Sequence, residues 1–260
     1  MTDPSQAPTP VLPLAPDPVL WFDDVTVEGG RRYDSTIWQV AFRLEPGQLM
    51  LVLLEREHLR LPLADAASGL AEPAAGAVRF LGRDWRSLSA DEAAAARGRI
   101  GRVFGEQAWV SHMGIEENIL LSQRHHTRRP DAEIRDEAAK LARVFSLPGL
   151  PRGLPSQVRR EDRRRAECVR AFLGEPKLVI LERPVGDDHE IMPPLMSCVR
   201  AARARGGAVV WLTDRADVWH DPGVRPTLRG TMAGSQMRVA GQGPPAPPVP
   251  RGPSAAGTQP

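Results

Sequence analysis

PGQLMLVLLEREHLRLPLADAASGL, residues 46–70, is the stretch of this sequence that decides its fold. It opens with the run QLMLVLL at 48–54, in which apolar residues follow one another without alternation. Such a run suits a parallel strand that is covered on both faces of its sheet. Two later runs have the same character, KLVIL at 177–181 and AVVWLT at 208–213. Together the three runs predict a buried parallel sheet.

Segments with helical periodicity separate and surround these runs. They predict helices over 91–97, 131–145, 162–173 and 196–205. Ser89 precedes the first helix and Glu92 follows three residues later, which is the spacing of a capping box. The earlier segments 21–27 and 40–44 alternate more and predict an antiparallel hairpin. Strands separated by helices indicate an α/β fold on a mainly parallel sheet.

The composition restricts the class of protein. A chain of 260 residues with 42% hydrophobic content can form one α/β domain with a sizeable core. The net charge of +2 does not indicate a nucleic-acid partner, and we expect none. Cys168 and Cys198 give no metal-binding spacing and suit a reducing compartment. Since the sequence has neither a membrane-spanning run nor a secretory signal, we expect a cytoplasmic protein.

The two ends of the chain differ in composition from its middle. Residues 1–18 contain many prolines without periodicity, and residues 241–260 are rich in proline, glycine and alanine. Neither segment can bury enough apolar area to fold alone, so both are predicted to be disordered. The folded domain is therefore expected over 19–240.

Several short segments occur in an order and at a spacing typical of one family. The first pair, PGQ at 46–48 and SGL at 68–70, flanks the first buried strand. Further pieces are AGAVRFLGRD at 75–84, GRVF at 101–104 and AFLGEPK at 171–177. Over about 20–220 this series resembles the ATPase domain of ABC transporters. The resemblance implies a P-loop-NTPase-like sheet flanked by helices, an N-terminal antiparallel β subdomain and a helical subdomain at about 105–165.

The resemblance places the phosphate-binding loop on residues 54–62, LEREHLRLP. A P-loop needs glycines so that backbone N–H groups can turn toward the phosphates, and this segment has none. Arg60 stands at the lysine position and keeps the charge, whereas Leu61 stands at the Mg²⁺-binding hydroxyl position and offers no oxygen. Because Pro62 is tolerated in a first turn, the helix is expected to survive without its anion site. The alternative for Arg60 is an ordinary surface residue at a helix start.

The later nucleotide motifs are altered as well. Glu182 retains a carboxylate at the Mg²⁺-associated position, but Arg183 replaces the general base and stays protonated. Gly105 stands at the switch glutamine, and Asp214 stands at the switch histidine. We therefore expect no cofactor. The alternative is residual binding of ATP and Mg²⁺ through Arg60 and Glu182.

The signature motif of the family falls on residues 158–162, VRRED. Arg159 and Arg160 would fill the space that a serine and a glycine leave for the partner's nucleotide. Their guanidinium groups could bind an anion, or the segment could be a solvated helix end. The run 163–165, RRR, could contact anionic lipid headgroups or nucleic acid, or it could form a solvated helix face.

A second resemblance concerns the subfamily. Residues 185–192, VGDDHEIM, and LPSQ at 154–157 are similar to stretches of the ATPases of MCE-type, Mla-like phospholipid transporters. Asp188 in the first stretch is a candidate contact with a partner. The resemblance thus implies lipid transport as one possible role.

ABC ATPase domains act as head-to-tail pairs, and this chain has lost both halves of the composite site. The resemblance therefore implies a non-catalytic subunit that holds a membrane permease and a second ATPase-like subunit, in a homodimer or heterodimer on the inner face of the cell membrane. Candidate contacts with the permease are Gln107, Trp109 and Met113, although the last two could equally lie in the core. A residual ATPase and a soluble anion-binding regulatory module remain the alternatives.

Overall fold

The computed structural model describes residues 17–55, 59–106 and 108–240. The predicted tail at 241–260, all but two residues of the predicted arm at 1–18, and Gln107 lie outside the described residues. Within the described ranges no helix is both long and apolar enough to cross a membrane.

Strands and helices alternate through most of the chain. The strands are β1 (Leu20–Val27), β2 (Ile37–Leu44), β3 (Leu49–Leu53), β4 (Ala75–Phe80), β5 (Arg83–Asp84), β6 (Ile100–Val103), β7 (Leu178–Glu182), β8 (Ala208–Thr213), β9 (Leu228–Ala233) and β10 (Gln236–Ala240). The helices are α1 (Leu63–Ala67), α2 (Ala90–Arg97), α3 (Ile115–His126), α4 (Asp131–Val144), α5 (Arg160–Phe172), α6 (Met192–Ala204) and α7 (Ala216–His220).

The strands of the described residues pair in the order β5-β4-β1-β2-β10-β9-β3-β8-β7-β6. The series β9-β3-β8-β7-β6 is parallel, whereas β5, β4, β1 and β2 are antiparallel. One parallel pair, Trp38 with Gln236, joins the two regions. The expected α/β architecture, with a mainly parallel sheet and an antiparallel β region, is therefore confirmed.

The continuous apolar strands have hydrophobic neighbours on both faces. Leu51 and Trp211 face a core that contains α3, α4, α5 and α6, and both are fully buried. Val52 and Val210 face the opposite core, which contains α1 and the antiparallel strands. Because successive side chains of a strand point to opposite faces, only an unbroken apolar run can serve both cores.

The predicted elements are confirmed with small differences in their ends. The three buried strands lie within one residue of their predicted limits, and Ser89 and Glu92 form the capping box. Helix α6 begins at Met192, four residues before the prediction, because prolines are accepted in a first turn that needs no N–H partner. Helix α3 and the hairpin β9–β10 are additional elements that were not predicted.

Strand β6 and helix α5 pack closely at Gly101. A Cβ at this position would lie 1.7 Å from the carbonyl oxygen of Ala171, so only glycine permits the contact. Strand β6 is thereby held beside β7, where its end forms part of the edge described below.

We expect Gly101→Ala to lower the free energy of unfolding by roughly 1–3 kcal/mol or more, because backbone atoms must move apart. Gly149→Ala is the matched control, since a Cβ at Gly149 has no atom within 4 Å. Urea denaturation of the two variants measures the difference. Equal stability of both variants would contradict the packing described for β6 and α5.

Candidate functional site

A cleft of about 440 Å³ opens at the edge of the sheet where the parallel strands end. At this edge Leu53 of β3 pairs with Thr213 of β8, and Glu182 of β7 pairs with Leu212. The β1–β2 loop and α1 close its sides. Polar residues that line the cleft are Arg32, Tyr33, Arg60, Asp65, Arg102, Glu106, Glu182 and Arg183. The two predicted cofactor contacts, Arg60 and Glu182, are therefore brought into one cleft.

Arg102 of β6 places a positive charge in the middle of this cleft. Its Nε donates to Oε1 of Glu182 and its Nη1 donates to Oδ1 of Asp65, each at 2.6 Å. The Arg102 side chain is 11% exposed, and its guanidinium stacks on Phe104 with 4.4 Å to the ring centre. Two carboxylates from different elements thus share one buried cation that belongs to the protein itself.

Asp65 of α1 has further partners on the β1–β2 loop. Tyr33 donates its hydroxyl to Oδ2 of Asp65 at 2.7 Å, and Arg32 lies 3.1 Å from the same oxygen. Burial raises the pKa of Asp65, but the hydrogen bond from Tyr33 and the charge of Arg102 outweigh it and lower that pKa below its ordinary value. Burial and the bond to Asp65 raise the pKa of Tyr33 to about 12. The donor and acceptor roles therefore persist across the neutral pH range.

Arg60 is bonded to Asp34 of the β1–β2 loop. Its Nε donates to Oδ1 of Asp34 at 2.9 Å and its backbone N–H donates to Oδ2 at 2.8 Å. Leu61 is buried and helix α1 begins at Leu63, after Pro62, which has no N–H group to donate. The predicted helix is thus present as a short, buried element, and the charge of Arg60 is directed to Asp34.

Arg183 extends over the position that the resemblance assigns to the switch glutamine. Its Nη2 donates to the carbonyl oxygen of Gly105 at 3.1 Å, and a Cβ at Gly105 would lie 3.0 Å from the same nitrogen. The backbone φ of Arg183 is 49°, a left-handed conformation that is uncommon outside glycine. Gly105 and Arg183 are therefore complementary, because a larger residue at 105 would displace the guanidinium.

The described residues of this cleft, which do not include 56–58 of the segment assigned to the phosphate-binding loop, do not fit a magnesium–triphosphate group. The only carboxylate expected to face the metal, that of Glu182, is already bonded to Arg102. Leu61 supplies no oxygen ligand, and Arg183 supplies a cation where a base would be needed. Among the described residues, no cluster of three or more histidine, cysteine or acidic side chains could hold a metal ion.

The predicted partner contacts on α5 lie on a separate, open cleft of about 380 Å³. Arg159 and Arg160 begin the helix, and their side chains are 83% and 75% exposed. Arg165 lies deeper and donates to Asp188 at 2.9 Å, so the Asp188 carboxylate is used within the chain. Carboxylates and guanidiniums alternate along this cleft, which favours a solvated, mixed-charge surface over an anion site.

The loop that carries Trp109 is held against α5. Arg170 donates to the carbonyl oxygen of Ala108 at 2.7 Å, and its guanidinium lies 4.6 Å from the centre of the Trp109 ring. Trp109 is half-buried and packs on the helical core, and Met113 is half-buried as well. The ring of Trp109 thus contacts the core and keeps some surface exposed, and its contact with a permease stays a prediction.

Glu167 of α5 is a buried acid behind this loop. Arg164 donates to Oε2 of Glu167 at 2.7 Å and to the carbonyl oxygen of Phe104 at 3.0 Å. Burial raises the pKa of Glu167 to about 7, although the charges of Arg164 and Arg170 oppose the shift. Most of the predicted arginine run is consequently occupied by contacts inside the protein.

The residues that organise the cleft were not predicted from the sequence. Asp65 and Arg102 are separated by 37 positions, and Arg102 and Glu182 by 80, so no local pattern joins them. The residue types nevertheless indicated buried charges. Asp65 lies in an otherwise apolar helix and Arg102 in a mostly apolar strand, where a charge requires a partner.

The strand order, the flanking helices and the cleft at the carboxyl edge are those of the α/β fold of solved ATP-binding cassettes. A bacterial ABC transporter cassette solved as a dimer superposes with a TM-score of 0.73 at 18% identity, covering 86% of this chain and 99% of that one. The ATP-binding subunit of an ABC transporter gives a TM-score of 0.70 at 18% identity, covering 84% and 87%.

The sequence is similar to proteins of one named group. The sulfate/thiosulfate import ATP-binding protein CysA of Mesorhizobium japonicum is 30% identical over 172 residues, which are 65% of this chain and 48% of the relative. CysA of Bordetella pertussis is 30% identical over 151 residues, 57% of this chain and 41% of the relative. The chain thus spans about half the length of these relatives. No family model matches it.

We expect Arg102→Met to lower the free energy of unfolding at pH 7 by roughly 3–5 kcal/mol, because Asp65 and Glu182 lose their shared cation. The two carboxylates would then repel each other, so acidification should restore part of the stability. Denaturation at pH 7 and pH 5 measures both effects. Lys140→Met, at the exposed ion pair with Asp136, is the control. A loss as small as that of the control would show that the Arg102 contacts contribute little.

Glu167 predicts a distinct pH dependence of stability. Its pKa is about 7 when folded, against 4.5 for the unperturbed group, so the folded state binds more protons between these values. The free energy of unfolding should therefore fall as the pH rises from 4.5 to 7, by an amount on the order of 3 kcal/mol. We expect Glu167→Gln to remove this slope and Glu161→Gln, on the same helix, to keep it. An unchanged slope in Glu167→Gln would refute the assignment.

Proposed function

We propose that this protein is a non-catalytic, ABC-ATPase-like subunit of a membrane transport complex. The observation that carries the proposal is the position of Arg102, whose guanidinium is bonded to both Asp65 and Glu182. This cation, which is covalently part of the chain, already occupies the Asp65 and Glu182 carboxylates that would otherwise be available for Mg²⁺. The arginine at 183 further removes the base that would activate water.

The proposed partners are a membrane permease and a second ATPase-like subunit. The names of the sequence relatives, which are import ATP-binding proteins, support a transport role. The dimeric state of a solved cassette with the same fold supports pairing. In such a complex the chain would lie on the inner face of the cell membrane. We propose that it positions its partners through surfaces such as the α5 cleft with Arg159 and Arg160.

Small anions and phospholipids are the two candidate classes of transported substrate. The sequence relatives are named for sulfate and thiosulfate import, which favours a small-anion importer. The phospholipid alternative depends on the short stretches at 185–192 and 154–157 and has no support among these relatives. Isolation of the complex from membranes would identify the permease and separate these two substrate classes.

A residual nucleotide binder is the second candidate, since Arg60 and Glu182 do line one cleft. Each of them is already engaged, Arg60 by Asp34 and Glu182 by Arg102. An incoming Mg-triphosphate would therefore meet an arginine and a carboxylate that each already have an ion-pair partner in the chain. The geometry therefore favours the non-catalytic role.

We expect isothermal titration of the purified chain with Mg-ATP to give no binding heat, and a phosphate-release assay to give no hydrolysis. Arg60→Ala should behave identically, because Arg60 serves Asp34 instead of a phosphate. Tight, magnesium-dependent binding that Arg60→Ala abolishes would overturn the non-catalytic proposal in favour of the second candidate.

A further inference from the structure

The β1–β2 loop, residues 28–36, closes on itself beside the cleft. The backbone N–H of Gly29 donates to Oγ1 of Thr36 at 3.0 Å. A Cβ at Gly29 would lie 2.9 Å from the carbonyl carbon of Ser35, so the two ends of the loop approach too closely for any other residue. This closure makes the loop a compact unit whose middle residues are Arg32, Tyr33 and Asp34.

Each of these three middle residues contacts the cleft. Arg32 and Tyr33 both reach the carboxylate of Asp65. Asp34 is bonded to Arg60 in both directions, since its backbone N–H donates to the Arg60 carbonyl oxygen at 2.8 Å while its carboxylate accepts from Arg60. The polar groups of the loop match those of the cleft. A guanidinium and a hydroxyl, those of Arg32 and Tyr33, face the Asp65 carboxylate, and the Asp34 carboxylate faces the Arg60 guanidinium.

We propose that the β1–β2 loop is a built-in plug of this cleft, held as an internal ligand in place of an external one. The inference rests on the proposed non-catalytic function and adds how the Asp65 and Arg60 side chains of the cleft are kept occupied. A ligand tethered through two short strands has a high effective concentration, so a free ligand must compete with it at a disadvantage. Asp65 binds the plug and Arg102 together, which makes the plug and the buried ion pairs mutually dependent.

The amino-acid composition provides a direct probe of the plug. Tyr33 is the only tyrosine of the chain, so protein made with 3-fluorotyrosine has a single ¹⁹F site. Hydrogen exchange of the amides at 28–36, followed by mass spectrometry, reports the opening of the same loop. Both measurements use the full chain without added nucleotide.

The variant Asp34→Ala removes the carboxylate that accepts from Arg60, keeps the backbone bond between the two residues, and leaves Asp65, Arg102 and Glu182 unchanged. We expect exchange at 28–36 to rise about tenfold, as for loss of one or two hydrogen bonds, and the ¹⁹F signal to move toward that of the unfolded chain. Tyr33→Phe, which removes only the hydroxyl, should increase exchange in the same segment. Asp136→Ala, at an exposed pair with Lys140, is the matched control and should change neither signal.

Unprotected amides at 28–36 in the wild-type chain, or equal exchange in Asp34→Ala and Asp136→Ala, would overturn the plug. That result leaves the non-catalytic proposal standing if Mg-ATP still gives no heat. Conversely, if Asp34→Ala opens the loop and the variant then binds and hydrolyses Mg-ATP, the plug is supported and the non-catalytic assignment of the cleft residues fails.

Discussion

The guanidinium of Arg102, shared between Asp65 and Glu182, is the interaction on which the arrangement of the cleft depends. It joins β6, α1 and β7 at the edge where the sheet ends. A buried ion pair contributes little over an apolar substitute, but removal of one partner leaves an uncompensated charge. The three residues are therefore interdependent, and a metal bound by Glu182 would have to displace the Arg102 guanidinium from its carboxylate.

The same interdependence extends to the residues around the network. Arg183 needs the small residue at Gly105, because a Cβ there would press on its guanidinium. Arg60 forms an ion pair with Asp34 of the β1–β2 loop, and the same loop is bonded to Asp65 through Arg32. Arg60 and Arg183, two positions that depart from the chemistry of a phosphate site, thus each have a specific partner within the chain. These departures form a consistent set of contacts, and the cleft is polar because the protein fills it with its own ion pairs.

The fold was largely predictable because its strongest signals are local. Three unbroken apolar runs gave the parallel strands, and the spacing of short segments around them gave the order of the elements. Helix α3 was missed because polar residues interrupt its apolar positions, although Glu117 caps its start. The hairpin β9–β10 was missed although Gly234 lies between its alternating strands, where its φ of 58° suits a tight turn.

The site was predictable only in part. The spacing of the resemblance placed Arg60 and Glu182 in one cleft, as observed, but it could not reveal which groups neutralise them. Tyr33, Asp65 and Arg102 come from three separate segments, and their contact depends on the tertiary fold. A charged residue inside an apolar element indicates that a partner exists, yet it does not identify that partner.

The strand order has a consequence for the folding of the protein during translation. Strand β3 is made early, but its two neighbours in the sheet, β8 and β9, lie more than 150 positions later in the chain. Strand β3 therefore cannot pair with β8 and β9 until most of the chain has been translated. Such long-range pairing slows folding and prolongs the exposure of apolar surface. Nascent chains of this protein should therefore depend on chaperones more than helical proteins of equal length do.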